Sequence, residues 1–460
     1  MRIDTVRFKD IIATLNGAKA CLLKRYIGPF RRRRQWLAKT QQLNAEQLNK
    51  LQLDLLRRIV THSYETVPYY REMMTKLGFR PGDIQSLEDI NRFPILRRSD
   101  VKAAGERLFS RKFNRMFLRT AYTGGTGTTG ERLTLKRDLR SIADEHAFVR
   151  RQFDWAGIGL RDRCAYMMAR VIAPTARKVQ KPYVYDAAMR ELTLSVFHLS
   201  EDTIPIYAKA IMDYAIKALV SHPSAAYILA KGCLDRGIGV PLKAVLTTAE
   251  TIDQVRKDTI AEVFGCKVYD FYGSTERVCY IHTCEHGSYH VIPEYGLTEL
   301  VRAEPPNDDS FHIVATGFWN MAMPLIRYET GDLVQLGNAA CRCGRVFPVV
   351  RKIVGRQSNI LVTPSGRMLG PSAIEAMMEN VLFDMKGMPV LYGQMIQESS
   401  DVMTLEYVPL SGFSQEHAEK LRSIAAKHVP ADFNVNIRQV KNINKTPGGK
   451  VVSLAIQKHR

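Results

Sequence analysis

The chain has 460 residues, with 66 Lys and Arg against 46 Asp and Glu (a formal charge of +20), 45% hydrophobic residues and 24% charged residues. That length exceeds one compact core and suits about two to three domains of roughly 150 residues, while the balance of apolar and charged residues excludes a disordered or fibrous chain. Eight cysteines at irregular spacing exclude a disulfide scaffold, no stretch approaches the about 20 apolar residues of a membrane span, and the start lacks a secretory signal, so a reduced, cytoplasmic protein is expected.

The positive charge invites a nucleic-acid reading. Outside Arg31 to Arg34, however, the cations are scattered among acids, and no helix-turn-helix, zinc-finger or aromatic single-strand motif accompanies them. Attraction of an anionic small molecule or an acidic protein is the better use for the charge, with an anionic membrane surface as a further option.

Residues 1–43 form a basic arm ending in RRRRQWLAK, which reads as an exposed helical or adaptable segment. From Asn44 the periodicity is helical, with Leu51, Leu55, Ile59 and His62 along one face and Pro68 as the stop. FPILRRSDVKAA predicts a short extended piece and then a helix capped by Ser99 or Asp100. Farther on, CAYMMARV and ALVSH read as strands, IPIYAKAIMDYAIKA and ILAKGCLDRG as helices, and LKAVLTT as a further strand. Such alternation implies parallel strands with crossover helices. KVYDFYGSTE, a stretch of β character to about Pro348 and a final α+β segment follow.

Four segments carry candidate chemistry. YTGGTGTTGERLTL packs four glycines and five threonines into one loop. Backbone N–H groups of Thr123, Gly124, Gly125, Thr126, Gly127, Thr128, Thr129 and Gly130 could approach a polyphosphate closely, but no Gly-Lys-Ser/Thr follows, and alone such a loop is equally a surface turn. In KVYDFYGSTER, Tyr272 can lie against a planar base while Thr275 and Glu276 face phosphate and a hard cation; a capped helix start explains the Ser-Thr-Glu equally well. Asp332, after a Thr-Gly turn in MPLIRYETGDLV, is either a solvated carboxylate or a grip on vicinal hydroxyls. Lys450, after the Pro-Gly-Gly of INKTPGGKVVSL, taken alone is an exposed hairpin charge.

In their order and intervals these segments resemble the adenylate-forming superfamily of acyl-CoA ligases. VPYYRE, FPILRRSDV, MPLIRYETGD, CRCGR and the closing GGK make the chain most similar to the branch of phenylacetate–CoA ligases and capsule-biosynthesis adenylate-forming proteins. The resemblance runs from about residue 45 to the end. It implies an α/β protein, with a large α/β layered N-terminal domain and β subdomain over 44–355 and a small, mobile α+β domain over 356–460. It also implies ATP-dependent activation of a small carboxylic acid, through an acyl-adenylate, for transfer to the thiol of coenzyme A or of a carrier-protein phosphopantetheine. An aryl or aryl-alkyl acid is expected, with Mg²⁺ as the cation.

Carried over by position, the Gly/Thr loop is the triphosphate-binding loop, although Arg132 stands where proline is usual. Ala249 and Glu250, after Thr248, flank adenine; Tyr272 and Gly273 hold the base; Thr275 and Glu276 serve phosphate and Mg²⁺; Asp332 holds ribose; Arg356 precedes the interdomain hinge; and Lys450 bridges carboxylate and α-phosphate. At the hinge, Gln357, Ser358 and Asn359 replace the usual acidic residues. Cys284, His290, Cys341 and Cys343 form a donor set suited to tetrahedral Zn²⁺, as in some relatives, with Cys279, His282 and His286 as competitors and buried metal-free thiols as the alternative. Transfer to a hydroxyl or amine, or a non-catalytic role, are the other functions weighed. Oligomeric state, a homodimer among the options, stays open.

Overall fold

The computed structural model describes residues 10–15, 17–18, 28–123, 132–168, 170–172, 179–302, 309–337, 340–356, 361–366, 368–369, 371–443, 445, 451 and 454–456. The chain divides into two compact units, one of Met1–Cys21, Ala156–Asp270 and Gly355–Arg460, the other of Leu22–Trp155 and Phe271–Val354.

In the first unit, Glu191–Leu194, Cys164–Met167, Ala218–Ser221 and Ala244–Thr248 lie side by side as parallel strands, with Tyr183–Asp186 antiparallel at the edge. Ala218–Ser221 and Ala244–Thr248 are buried at every residue, as parallel strands covered on both faces must be. Helices Ile204–Asp213, Pro223–Asp235 and Gln254–Phe264 contribute to the same apolar core. The last of these starts at Asp253, whose side chain accepts from Arg256 N, and ends at Gly265 in the left-handed region, where glycine carries no Cβ penalty.

The C-terminal part of this unit has a four-stranded sheet in the order Asn434–Gln439, Val402–Pro409, Val390–Gln397, Leu454–Ile456. With helices Pro371–Asp384 and Gln415–His428 it makes the expected α+β layer. Val381, Met395, Met403, Leu405 and Leu421 build a core of its own, whereas Leu391, Tyr392, Val408 and Leu410 join the core of the parallel strands.

The second unit holds helices Gly28–Thr40, Ala45–Thr66, Pro68–Lys76 and Leu139–Trp155. Its strands are antiparallel: Gly296–Arg302, Ser310–Gly317 and Tyr328–Leu336 in one run, Tyr280–Thr283 and Tyr289–Val291 in a hairpin. The long helix begins at the expected Asn44, which with Gln47 forms a reciprocal cap, and Pro68, the expected stop, also opens the next helix. Two expectations differ in detail. The helix after FPIL starts at Arg98, and Asp100 accepts from Arg97 N from within the first turn. The arm is helical over Gly28–Thr40, but Phe30, Arg33, Leu37 and Thr40 are buried. Arg33 pairs with Asp144 at 2.8 Å and lies 3.5 Å over the Trp319 ring, and Arg34 grips Asp154 with two hydrogen bonds. Half of the basic run is therefore spent inside the unit. Among the described residues no helix is long and apolar enough to cross a membrane.

Candidate active site

Strand Lys267–Gly273 runs out of the first unit and pairs through Phe271 to Gly273 with Tyr280–Thr283 in the second. It ends at Gly273, where a Cβ would sit 3.3 Å from the Tyr280 ring. The Ser-Thr-Glu turn that follows closes with Arg277 N donating to Ser274 O and with Arg277 itself at φ +57°, a conformation costing a non-glycine residue about 1–2 kcal/mol. Its neighbours hold it there: Arg277 pairs with Glu145 at 3.6 Å, and the Arg137 guanidinium donates to the Thr275 carbonyl. Burial, with Arg277 close by, brings Arg137 down to about 10.

Glu276, 7% exposed, accepts from the Tyr328 hydroxyl at 3.1 Å and has the Arg98 guanidinium 3.9 Å away. Arg98 also donates to Thr123 Oγ1 at 2.9 Å, and that oxygen accepts from Leu133 N. Thr123 closes the hairpin of Arg119–Tyr122 and Thr134–Arg137, so Arg98 ties the root of the Gly/Thr loop to the Ser-Thr-Glu turn. Gly124, Gly125, Thr126, Gly127, Thr128, Thr129 and Gly130 lie outside the described residues.

Tyr272 donates to Asp332 Oδ2 at 2.7 Å. Asp332 follows Gly331, whose φ of +75° turns the strand, and it is 7% exposed. Desolvation first, and then the Asp332 charge, push the Tyr272 hydroxyl well above 10, so it remains a donor. Thr123, Tyr272, Gly273, Thr275, Glu276 and Asp332 thus occur together in the second unit.

Ala249 and Glu250 belong to the first unit. Ala249 stands at φ +71° after the buried strand. The Glu250 carboxylate accepts from Ser224 N and Oγ at 2.9 and 3.0 Å and from Val451 N at 3.1 Å. The residue next to Lys450 is therefore fixed on the segment expected to flank adenine; Lys450 lies outside the described residues, as do Gln357, Ser358 and Asn359. Arg356 ends the strand Val349–Arg356. Lys445 donates to Val196 O at 2.7 Å, and burial brings it down to about 8.

Cys284 and His290 come from the Tyr280–Val291 hairpin, Cys341 and Cys343 from a turn closed by Gly344 N and Cys341 O. Their ligand atoms lie within 4.8 Å of one another, with Cys284 Sγ 3.5 Å from Cys341 Sγ and Cys343 Sγ 3.4 Å from His290 Nε2. Bonds of about 2.3 Å to sulfur in a tetrahedral site imply edges of about 3.8 Å, so the donor set and its spacing fit Zn²⁺. His290 Nδ1 faces Phe347 O at 3.4 Å, turning Nε2 to the thiols, and burial lowers its pKa, keeping the ring neutral. Of the competitors, Cys279 accepts from Thr298 Oγ1 in the core and His282 packs on Trp155; neither they nor His286 join the group.

Arg98, Arg137 and Tyr328 were not singled out from the sequence. The RRSD stretch was the available signal for Arg98, read as a helix start and as a mark of the family branch but not as a site residue.

No family model matches the chain. It is 21% identical over 394 residues to protein CapK of Staphylococcus aureus, covering 83% of each chain. It is 27% identical over 350 residues to a phenylacetate-coenzyme A ligase of Thermus thermophilus (73% of this chain, 76% of the relative) and 23% identical to that of Escherichia coli (72% and 76%). Among solved structures, 2-hydroxyisobutyryl-CoA ligase in the postadenylation state superposes with a TM-score of 0.68 at 19% identity, covering 92% of each chain. Fold and sequence thus liken the chain to one class, the adenylate-forming ligases. Within it, the likeness is to the branch of the phenylacetate–CoA ligases and CapK.

Proposed function

We propose that the chain activates an aryl or aryl-alkyl carboxylic acid with ATP and transfers the acyl group to coenzyme A. The observation that carries this reading is that the expected residues fall into two contact sets in one compact unit, Tyr272 with Asp332, and Glu276 with Thr123 through Arg98. The aryl preference rests on the relatives named phenylacetate-coenzyme A ligase.

In this reading a carboxylate oxygen attacks the α-phosphorus of ATP. A P–O bond forms to the acid, the α–β P–O bond breaks and pyrophosphate leaves. The thiol of coenzyme A then loses its proton to solvent and its sulfur attacks the acyl carbon; the S–C bond forms, the acyl C–O bond to the phosphate breaks and AMP departs. No nucleophilic side chain is consumed. Tyr272 supports the adenine ring, Asp332 the ribose hydroxyls, the Gly/Thr loop the triphosphate, and Lys450 the charge developing between carboxylate and phosphate. Thr275 and Glu276 would hold Mg²⁺, which when bound neutralises phosphate charge. Residues 356–460 are taken as the small mobile domain; Val381 and Leu421 belong to a core of their own, although Leu391, Tyr392, Val408 and Leu410 pack with the parallel strands. An acidic carrier protein is the second acceptor, favoured by the net charge of +20.

The test is ATP–pyrophosphate exchange with aromatic, aryl-alkyl and fatty acids, each with and without Mg²⁺, followed by AMP release with and without coenzyme A. Exchange confined to one aryl acid, with release stimulated by coenzyme A, is expected. Protein that binds ATP but exchanges with no acid would overturn the reading.

Cys284, His290, Cys341 and Cys343 are proposed to hold a structural Zn²⁺, since four protein ligands leave no open position for water. Metal analysis of folded protein should find about one zinc per chain; folded protein without zinc would remove the assignment.

A further inference from the structure

Residues Arg111 to Tyr122, RKFNRMFLRTAY, contain four cations and no acid. Their base is pinned to the second unit: Ser110 N donates to Ala322 O, and Arg111 N donates to Thr66 O at 2.8 Å. The segment then rises into a single 3-10 turn, Arg115–Phe117, capped by Asn114, whose side chain accepts from Met116 N at 3.0 Å. On this fixed turn Met116 is 83% exposed and Phe117 66% exposed, and Tyr122, on the strand that follows, is 61% exposed. Strand alternation explains the tyrosine. Ala121 and Leu135 pair on the inward face, while Thr120 opposite Lys136 and Tyr122 opposite Thr134 share the outward one. Arg111, Lys112, Arg115 and Arg119 are exposed around the tip, with Glu106 pairing Arg115 at 2.9 Å.

Large apolar side chains standing clear of the surface on an ordered turn are unfavourable in water and mark a contact. Here the cations around them outnumber the single acid, Glu106, four to one, the combination that binds an interfacial layer: apolar residues enter the acyl boundary while Lys and Arg meet anionic headgroups. We infer that this turn docks the enzyme peripherally on an anionic lipid bilayer, with Met116 and Phe117 inserted and Arg111, Lys112 and Arg119 against headgroup phosphates. A nucleic acid has phosphate for the cations but no place for a projecting Met-Phe pair. An acidic protein would need a pocket shaped to the turn, which a fluid lipid surface does not.

The experiment is co-sedimentation of the full chain with phosphatidylcholine vesicles and with vesicles containing phosphatidylserine, at low and high salt. The proposal expects binding to the anionic vesicles only, weakened by salt. Because a net charge of +20 alone attracts anionic surfaces, the deciding variant is Met116→Ser with Phe117→Ser, which leaves charge unchanged. It should lose at least about tenfold in vesicle affinity while melting as the wild type does, since both side chains are exposed. Lys112→Glu with Arg119→Glu should abolish the preference for phosphatidylserine. No binding by the wild type, or serine variants that sediment like the wild type, would overturn the proposal, as would a wild type that ignores vesicles and is captured by an acidic protein instead.

Discussion

Tyr272→Phe removes one hydroxyl and nothing else, which makes it a sharp probe of the site. The ring volume is kept, so no cavity contributes. What is lost is the 2.7 Å hydrogen bond to Asp332, leaving a carboxylate that is 7% exposed without this donor. Hydrogen bonds to charged groups contribute about 1.5–3 kcal/mol; since Tyr272 is only half-buried, a loss near the lower end is expected, about 1–2 kcal/mol. Asp332→Asn keeps an acceptor oxygen for the tyrosine and so retains a neutral bond of about 0.5–1.5 kcal/mol; its stability should fall less, by the difference of about 0.5 kcal/mol. Under the proposed function the order reverses for ATP, because only the aspartate variant loses the charged acceptor for ribose. Urea unfolding followed by tryptophan fluorescence, beside ATP titration of the same proteins, reads both orders. A Tyr272→Phe protein within about 0.5 kcal/mol of wild type, the range of ordinary surface changes, would refute the claim that this bond holds the site together.

Lys450→Ala should reduce pyrophosphate exchange by at least about 100-fold, the scale of losing one preorganised charge-stabilising group, while ATP titration is little changed; unaltered exchange would sink the assignment. Arg98→Ala should raise the KM for ATP about tenfold, roughly 1.4 kcal/mol, and leave the KM for the acid alone, because Arg98 ties Thr123 to Glu276; Arg98→Lys, unable to span both partners, should recover little. Stability should fall as pH rises from about 10. Burial pushes Tyr272, Tyr280 and Tyr295 well above 10, so above that pH the unfolded chain loses protons that the folded chain keeps, and unfolding is favoured. A melting temperature flat between pH 9 and about 11 would contradict this sign.

Much of the site was legible because its parts are local. Gly331 before Asp332 is called for by a positive φ, and Gly273 before the Ser-Thr-Glu turn is favoured by the nearness of the Tyr280 ring; such backbone needs leave marks in the residue string. Cys284, His290, Cys341 and Cys343 were legible from ligand chemistry. Arg98 was not, because its value lies in reaching Thr123 and Glu276, partners chosen by tertiary packing. The basic arm misled for the same reason. In RRRR Arg33 is buried among Phe30 and Leu37 and Arg34 is half-buried on Asp154, and what makes Arg33 tolerable there is Asp144 on another helix. Pairs such as Arg33–Asp144, Arg151–Glu294 and Arg327–Glu299 each withdraw one cation and one acid from the surface. The net charge of +20 is unchanged by this, but fewer acids remain outside to dilute it. The outward cations can therefore gather where no acid stands beside them in the chain, and composition alone could not say where. The acid-free turn around Met116 is one such place, and there the charge stands beside exposed apolar side chains, which a count of residues cannot distinguish from buried ones.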